Sequence, residues 1–211
     1  VYRRVSAMGP HGLGKSAQSA ILILWYALTR DGKDWKAITT ASVWRQLDEF
    51  LWPEIHKWAR LLRWDRIGRA PFIDDRELLK LSLNLRTGSA FAIASDKPSA
   101  LEGAHADCLF YLFDESKAVP DGVFDAAEGA FSTTGEIFAM AVSTPGDVAG
   151  RFHAIHTDRE RFSEWWCRQV TLDECIAAGR VSADWAAARR REWGETSSAY
   201  INRVLGRFAY T

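Results

Sequence analysis

Residues 9–16 read GPHGLGKS and fit the pattern G-x-x-x-x-G-K-[ST] in full. Small residues let successive backbone N–H groups point inward as an anion-binding nest, and a helix that begins near Lys15 adds the positive end of its dipole. In this pattern the lysine reaches the β- and γ-phosphates of a nucleotide, and the hydroxyl of Ser16 is offered to Mg²⁺. The sequence therefore predicts a nucleoside triphosphate site. Its predicted binding residues are Gly9, Pro10, His11, Gly12, Leu13, Gly14, Lys15, Ser16 and Ala17.

The segments around this loop alternate between strand-like and helix-like patterns. RRVSAM precedes the loop as a strand, and KSAQSAILILWYALTRDG follows it as a helix that ends near Gly32. Further strands are predicted in WKAITTAS, LSLNLRTGSAFAIAS, DCLFYLFDE and EIFAMAVSTPG. This alternation predicts an α/β fold with a mainly parallel sheet flanked by helices.

The sequence pattern changes near Gly150, and the residues that follow are predicted to be mainly helical. We predict a core domain over residues 1–149 and a small helical subdomain over 150–211, with Ser182 and either Thr196 or Ser197 as helix N-caps. Pro53 is expected to kink the long helical stretch around it or to start a second segment. Trp25 and Trp44 lie within apolar faces, so we expect both in the core.

Composition excludes several classes of protein. The 211 residues carry 27 basic and 27 acidic side chains, so no global charge marks a nucleic-acid or membrane binder. No run approaches the roughly 18–20 apolar residues of a membrane span, and the first residues do not resemble a secretion signal. The three cysteines are widely spaced, which favours packed thiols in a reducing cytosol over disulfides or a metal site.

Two carboxylates follow a buried hydrophobic strand, in CLFYLFDES. The carboxyl edge of a parallel sheet is where ligands gather in such folds. Asp114 is predicted to hold Mg²⁺ beside Ser16, and Glu115 to polarise the water that attacks the γ-phosphate. Lys15 and Glu115 are thus the predicted catalytic residues.

A second polar pair, Ser143 and Thr144, ends the strand IFAMAV. In nucleotide-driven motors a polar residue at this place senses the γ-phosphate through a hydrogen bond. The same hydroxyls could instead cap the turn that leads into Pro145, and the sequence favours neither reading.

The order of these landmarks resembles that of a known family. The phosphate loop, SVWRQLDEFLWPEIHKW, SALEGAHADCLFYLFDESKAVPDGVFDAAEGAF, STPG and EWGETSSAYINRVLGRF follow one another as in the ATPase domain of the large terminase subunit of tailed bacteriophages. The resemblance runs almost end to end. It implies an additional-strand P-loop ATPase core, ATP and Mg²⁺ as cofactors, and functional roles for four positions. Lys15, Ser16, Asp114 and Glu115 match the family's phosphate, metal and catalytic positions, and the stretch around Ser143 matches its coupling segment.

The resemblance also implies partners. Members of the family translocate double-stranded DNA into a procapsid in the cytoplasm of the infected bacterium. They work as a homo-oligomeric ring, expected to be a pentamer, on a portal protein and together with a small terminase subunit. The family's metal-dependent nuclease domain and its upstream adenine-contacting segment are both expected to be absent from this sequence, so no nuclease activity is expected. No membrane association is expected either, because the sequence has no apolar run long enough for a span.

A neighbouring subunit of these motors supplies an arginine to the γ-phosphate. Some members carry it just after the acidic pair, where this sequence has Lys117. Arg151 and Arg69 remain as candidates for the trans-acting finger, although the sequence favours a surface or packing role for each.

The stretch KWARLLRWDRIGR is the candidate DNA contact, through Arg60, Arg63 and Arg66. Spacings of three residues would put these arginines on roughly one helical face if the helix persists. Such a face could follow phosphates without reading sequence, or it could simply be solvated.

Two other functions share the same core. A helicase-like or DNA-repair ATPase would be stimulated by single-stranded DNA and would need a second motor domain. A nucleotide-dependent scaffold would bind ATP without releasing phosphate, and the intact Glu115 argues against it.

Overall fold

The computed structural model describes residues 2–96 and 98–210. Within these residues, eight strands form one sheet in the order β3-β4-β5-β2-β6-β7-β1-β8. Neighbouring strands are parallel except for the pairs β3–β4 and β4–β5. The strands are β1 (Arg4–Met8), β2 (Trp35–Ala41), β3 (Leu78–Leu79), β4 (Ser82–Asn84), β5 (Gly88–Ala94), β6 (Cys108–Asp114), β7 (Glu136–Ser143) and β8 (Trp165–Gln169).

Helices cover both faces of this sheet, which confirms the predicted α/β class. The helices are α1 (Lys15–Arg30), α2 (Trp44–Gln46), α3 (Trp52–Leu61), α4 (Trp64–Ile67), α5 (Pro98–Glu102), α6 (Asp121–Glu128), α7 (Gly150–Thr157), α8 (Leu172–Ala177), α9 (Ala183–Trp193) and α10 (Ser198–Arg203). The strand β6 is buried along its whole length. Phe110 and Leu112 face the apolar core under α1 and α3, whereas Tyr111 and Phe113 face the core under α6 and α7.

The position of β7 decides the subclass of the fold. It lies between β1, which leads into the phosphate loop, and β6, which ends in the acidic pair. This is the additional strand that the sequence resemblance implied. The register pairs Met8 with Ser143 and Val142 with Asp114, so all three strand ends meet at one edge of the sheet.

Two local features differ from the sequence-based expectation. Residues 165–169 form β8, a parallel edge strand beside β1, so the sheet extends past the boundary predicted at residue 149. Its sequence WWCRQ alternates buried and exposed residues, as an edge strand with one covered face does, and does not form the continuous apolar run of β6. The division into domains at 149/150 stays a prediction.

The second feature is the helical stretch around Pro53. A π-helical turn over Leu47–Leu51 connects α2 to α3, and Pro53 lies in the first turn of α3. Proline is tolerated there because the first N–H groups of a helix have no partner within the helix. Ser182 and Ser197 cap α9 and α10 as predicted. Among the described residues no helix combines the length and the apolarity needed to cross a bilayer.

A buried histidine ties α7 to the phosphate-loop strand. The Nε2 atom of His156 lies 2.8 Å from the Oγ atom of the fully buried Ser6, and the ring packs edge-on against Phe152. Burial, with smaller contributions from the charges of Arg159 and His153, lowers the pKa of His156 to about 4.

This pKa predicts a pH dependence of stability. An unfolded histidine titrates near 6.5, so the unfolded chain binds more protons than the native one between about pH 6.5 and 4. Native stability is therefore lost as the pH falls through this window, by up to about 3 kcal/mol from this residue. We expect His156→Gln to lose less unfolding free energy than the wild type between pH 7 and pH 4.5 in urea titrations. The exposed His105→Gln serves as the control, and equal losses in all three proteins would contradict the assignment.

Candidate nucleotide site

The phosphate loop is shaped by its glycines. Gly12 and Gly14 have φ angles of +80° and +95°, in the left-handed region that other residues rarely adopt. Gly14 directly precedes α1, and it has no side chain that could cap the first N–H groups of that helix. Those N–H groups and the helix dipole are thus available to an anion, as the sequence pattern predicts.

Lys15 points back over the loop. Its Nζ atom donates a hydrogen bond to the carbonyl oxygen of Pro10 at 3.0 Å. Burial lowers the pKa of Lys15, while the negative charges of Glu115 and Asp114 counteract that shift. The ammonium group therefore lies in a partly desolvated place next to two carboxylates, where it interacts more strongly with phosphate charge than it would in water.

Asp114 ends β6 almost completely buried, with 2% of its surface exposed. Burial raises its pKa to about 6, and a hydrogen bond from the Nε2 atom of Gln46, 3.1 Å from Oδ2, counteracts this rise. A carboxylate that is costly to ionise gains most when a cation is held beside it.

Glu115 leaves the strand in a left-handed conformation, with φ of +46° and ψ of +47°. This turn brings its carboxylate to the end of the neighbouring strand β7. The Oε2 atom accepts a hydrogen bond from Ser143 Oγ at 3.2 Å and lies 3.7 Å from Lys117 Nζ. Left-handed backbone costs a non-glycine residue about 1–2 kcal/mol, so the surrounding contacts must hold it in place.

The polar pair at the end of β7 contacts the acidic segment. Ser143 donates to Glu115, and Thr144 Oγ1 accepts from Lys117 Nζ at 2.7 Å. Both hydroxyl residues are buried. The structure thus brings the predicted sensor residues next to the predicted catalytic carboxylate, and their coupling role stays a prediction.

Lys15, Glu115 and Thr144 line one polar cleft of about 410 Å³, and Asp114, Ser143 and Lys117 lie beside it. Its walls are formed by His11, Gly12, Gly14, Lys15, Ser16, Ala17, Glu54, Glu115, Thr144 and Arg180. Gly9 and Leu13 instead pack beneath the loop, where a methyl group on Gly9 would lie 2.7 Å from the Leu13 side chain.

Three residues near the cleft were missed by the sequence analysis: Gln46, Glu54 and Arg180. Gln46 and Glu54 belong to the helical stretch 44–61, which packs against α1, and Arg180 belongs to the segment after β8. No local motif marks any of them, because tertiary packing alone brings them to the loop.

The predicted Mg²⁺ site has only two candidate protein ligands, Ser16 and Asp114. Among residues 2–96 and 98–210, no group of three or more His, Cys, Asp or Glu has the geometry of a metal site. Mg²⁺ usually takes one or two protein ligands together with phosphate oxygens and waters. A buried Asp114 with a raised pKa fits a cation beside it, and Ser16 lines the adjacent cleft.

Both candidate arginine fingers are engaged within the chain. The Arg151 guanidinium lies 2.6 Å from Asp125 and over the ring of Phe124. Arg69 donates to Glu77 at 2.9 Å. Their contacts are those of packing arginines, and the trans-acting role of either stays a prediction.

The premise of a single basic helical face is wrong. Helix α3 ends at Leu61 and the short α4 begins at Trp64, so no continuous helix aligns Arg60, Arg63 and Arg66. All three arginines are exposed, and their contact with DNA stays a prediction.

Trp25 and Trp44 were wrongly placed in the core. They are 51% and 45% exposed, because the buried face of α1 runs through Ile23, Leu24 and Ala27 and because Trp44 begins α2 at the surface.

Comparison with known proteins finds similarity in the fold but not in the sequence. No protein-family model matches the sequence, and no curated protein matches it. Solved structures do match. The large terminase of a thermophilic bacteriophage superimposes with a TM-score of 0.74 at 12% identity, over 99% of this chain and 49% of that chain. The ATPase domain of the Thermus phage P74-26 large terminase gives 0.70 at 16% identity, over 99% and 89%. The large terminase of bacteriophage HK97 gives 0.67 at 15% identity, over 97% and 46%.

The chain has the fold of a phage large terminase ATPase domain. It spans about half the length of the first of these terminases and most of the excised P74-26 domain. The fold implied by the sequence resemblance is thereby confirmed.

Within this terminase-like fold, the C-terminal segment buttresses the phosphate loop. The N–H of His11 donates to the carbonyl oxygen of Arg203 at 2.8 Å. Gly206 lies against the loop backbone, where an added methyl group would come within 2.8 Å of Pro10 N and 2.9 Å of Gly9 Cα. Only glycine fits this approach.

We expect Gly206→Ala to destabilise the fold and to weaken nucleotide binding together. Gly206 and Gly68 both have positive φ, at +66° and +78°, but nothing lies within 4 Å of a methyl group at Gly68, which is in the left-handed helical region. Gly68→Ala should therefore show only the backbone cost of about 1 kcal/mol, and Gly206→Ala about 2 kcal/mol more from the clash. Urea unfolding and titration with fluorescent ATP check this, and equal effects of the two substitutions would contradict the buttress.

Proposed function

We propose that this chain is the ATPase domain of a viral DNA-packaging motor, which hydrolyses ATP to translocate double-stranded DNA into a procapsid. The observation that carries the proposal is that Lys15 and Glu115 line one cleft at the edge of a sheet whose order inserts β7 between their strands. The thermophilic phage terminase that shares this fold has been solved with ADP and with ATP-γ-S, which supports a nucleotide as the ligand of the cleft.

In this proposal the phosphate loop binds the nucleotide. Its backbone N–H groups and the Lys15 ammonium hold the β- and γ-phosphates, while Ser16 and Asp114 would hold Mg²⁺. Bound there, Mg²⁺ would neutralise charge on the phosphates. Most of the catalytic effect in this class comes from such positioning and charge stabilisation.

Water activation falls to Glu115. Ser143 fixes one of its carboxylate oxygens by a hydrogen bond, which leaves the other free to accept a proton from the attacking water. The same hydrogen bond links the carboxylate to the end of β7. A change at the γ-phosphate can thereby reach Thr144 and the chain that follows it, which is our proposal for how hydrolysis is coupled to movement.

The motor would act as an assembly. A ring of subunits on a portal protein, with a small terminase subunit and an arginine supplied in trans, would pass duplex DNA through its centre in the host cytoplasm. Arg60, Arg63 and Arg66 are our candidates for the phosphate contacts of that DNA, and Lys117 lies where some family members carry the finger. The pentameric stoichiometry follows from the family resemblance alone.

Two substitutions test the proposed roles of Lys15 in binding and of Glu115 in hydrolysis. Lys15→Ala should raise the dissociation constant for ATP at least 100-fold, because it removes the charge that faces the phosphates. Glu115→Gln keeps the shape and the hydrogen bond from Ser143, so it should bind ATP within about threefold of the wild type and release phosphate at least 100-fold more slowly. The exposed Lys80→Ala and Glu160→Gln are matched controls that should change neither quantity.

Phosphate release is measured at protein concentrations that drive assembly, without DNA, with duplex and with single-stranded DNA. Stimulation by duplex supports the packaging motor. Stimulation by single strands alone would instead support the helicase-like reading. ATP binding without phosphate release under all three conditions, and without effect of Glu115→Gln, would support a scaffold.

A further inference from the structure

A short structured segment follows the edge strand β8 along the phosphate loop. The N–H of Val170 donates to the carbonyl oxygen of Met8 at 2.8 Å, and the Val170 carbonyl would lie 3.1 Å from a methyl group on Gly9. Thr171 and Glu174 then form a reciprocal capping box at the start of α8. The segment is therefore anchored at the point where β1 becomes the loop.

The end of α8 presents one side chain to the loop. Gly179 has a φ angle of +65°, and the N–H of Arg180 donates to the carbonyl oxygen of the buried Cys175 at 2.8 Å. This closing turn, together with the capping box, sets the direction in which the chain leaves the helix. The position of Arg180 is thus determined by backbone hydrogen bonds.

The guanidinium of Arg180 lies over Gly14. A methyl group on Gly14 would be 2.9 Å from Nη2 and 3.5 Å from Cζ of Arg180. The backbone of Arg180 is also close to the loop, since a methyl group on Gly12 would lie 3.5 Å from the Arg180 carbonyl oxygen. Arg180 therefore stands at the two glycines whose N–H groups form the anion nest, in the cleft that also holds Lys15 and Glu115.

The guanidinium of Arg180 is available to a ligand, unlike those of three other arginines in the C-terminal part that pair with carboxylates. Arg168 pairs with Glu174, Arg189 with Glu192, and Arg190 with Glu195. Within the described ranges Arg180 forms no ion pair and no side-chain hydrogen bond. A guanidinium carries five donors in a planar fork that matches phosphate oxygens, so this orientation is suited to an anion in the cleft.

We infer that Arg180 contacts the phosphates of the nucleotide bound by its own chain, as a second cation opposite Lys15. This inference rests on the proposed function, because it requires that the loop binds a nucleotide. It adds a binding residue that acts in cis and needs no neighbouring subunit. It also makes the segment 170–193 respond to the nucleotide, since α8 and α9 flank the arginine.

The test compares Arg180→Ala and Arg180→Lys with Arg191→Ala, an exposed arginine on α9 outside the cleft. Titrations use a fluorescent ATP-γ-S with Mg²⁺. We expect Arg180→Ala to raise the dissociation constant for ATP-γ-S at least 10-fold, Arg180→Lys to retain part of the affinity, and Arg191→Ala to stay within twofold.

Thermal unfolding without nucleotide provides the structural readout. All variants should unfold near the wild-type temperature, whereas the upward shift caused by ATP-γ-S should be smaller for Arg180→Ala. If the wild type binds ATP-γ-S and Arg180→Ala binds it with the same affinity, the inference is overturned and the proposed function is left intact. Tighter binding by Arg180→Ala would overturn it too, because the arginine would then obstruct the cleft. Failure of the wild type to bind ATP-γ-S would overturn both proposals.

Discussion

The parallel pairing of β1 with its two neighbours is the constraint on which the site depends. Met8 is paired with Ser143 of β7 on one side and with Gln169 of β8 on the other, so the phosphate loop begins directly after the residue that aligns with the ends of both strands. Strand β7 in turn sets the register of Asp114. Because a shift of one residue would turn every side chain to the opposite face, the burial of both faces of β6 fixes these positions.

Charge is concentrated where this register brings the strand ends together. Lys15 and Lys117 face Glu115, and the buried Asp114 lies behind them with Gln46 as its hydrogen-bond partner. The cleft therefore carries both signs of charge in partly desolvated surroundings. Such an arrangement favours a ligand that is itself both anionic and accompanied by a cation, as a nucleoside triphosphate with its metal is.

The sequence was sufficient for the parts of the site that are continuous in the chain. The loop pattern, the acidic pair after the apolar run of β6 and the polar end of β7 were each predicted from local composition and lie together in one cleft or beside it. Residues that reach the site through packing could not be predicted, because Gln46 and Arg180 stand in stretches without any motif. The same limit explains β8, whose polar alternation hid an edge strand, and Trp25, whose apolar neighbours in sequence lie on another face of α1.

The backbone of Glu115 has a consequence for how this chain can change over time. A glycine would adopt the same left-handed geometry without steric cost. If Glu115 activates water, as we propose, backbone stability and turnover favour different amino acids at this position. Lineages that lose the need to hydrolyse nucleotide would be expected to drift toward glycine or asparagine here. The identity of this one residue would then distinguish active ATPases from relatives that no longer hydrolyse nucleotide.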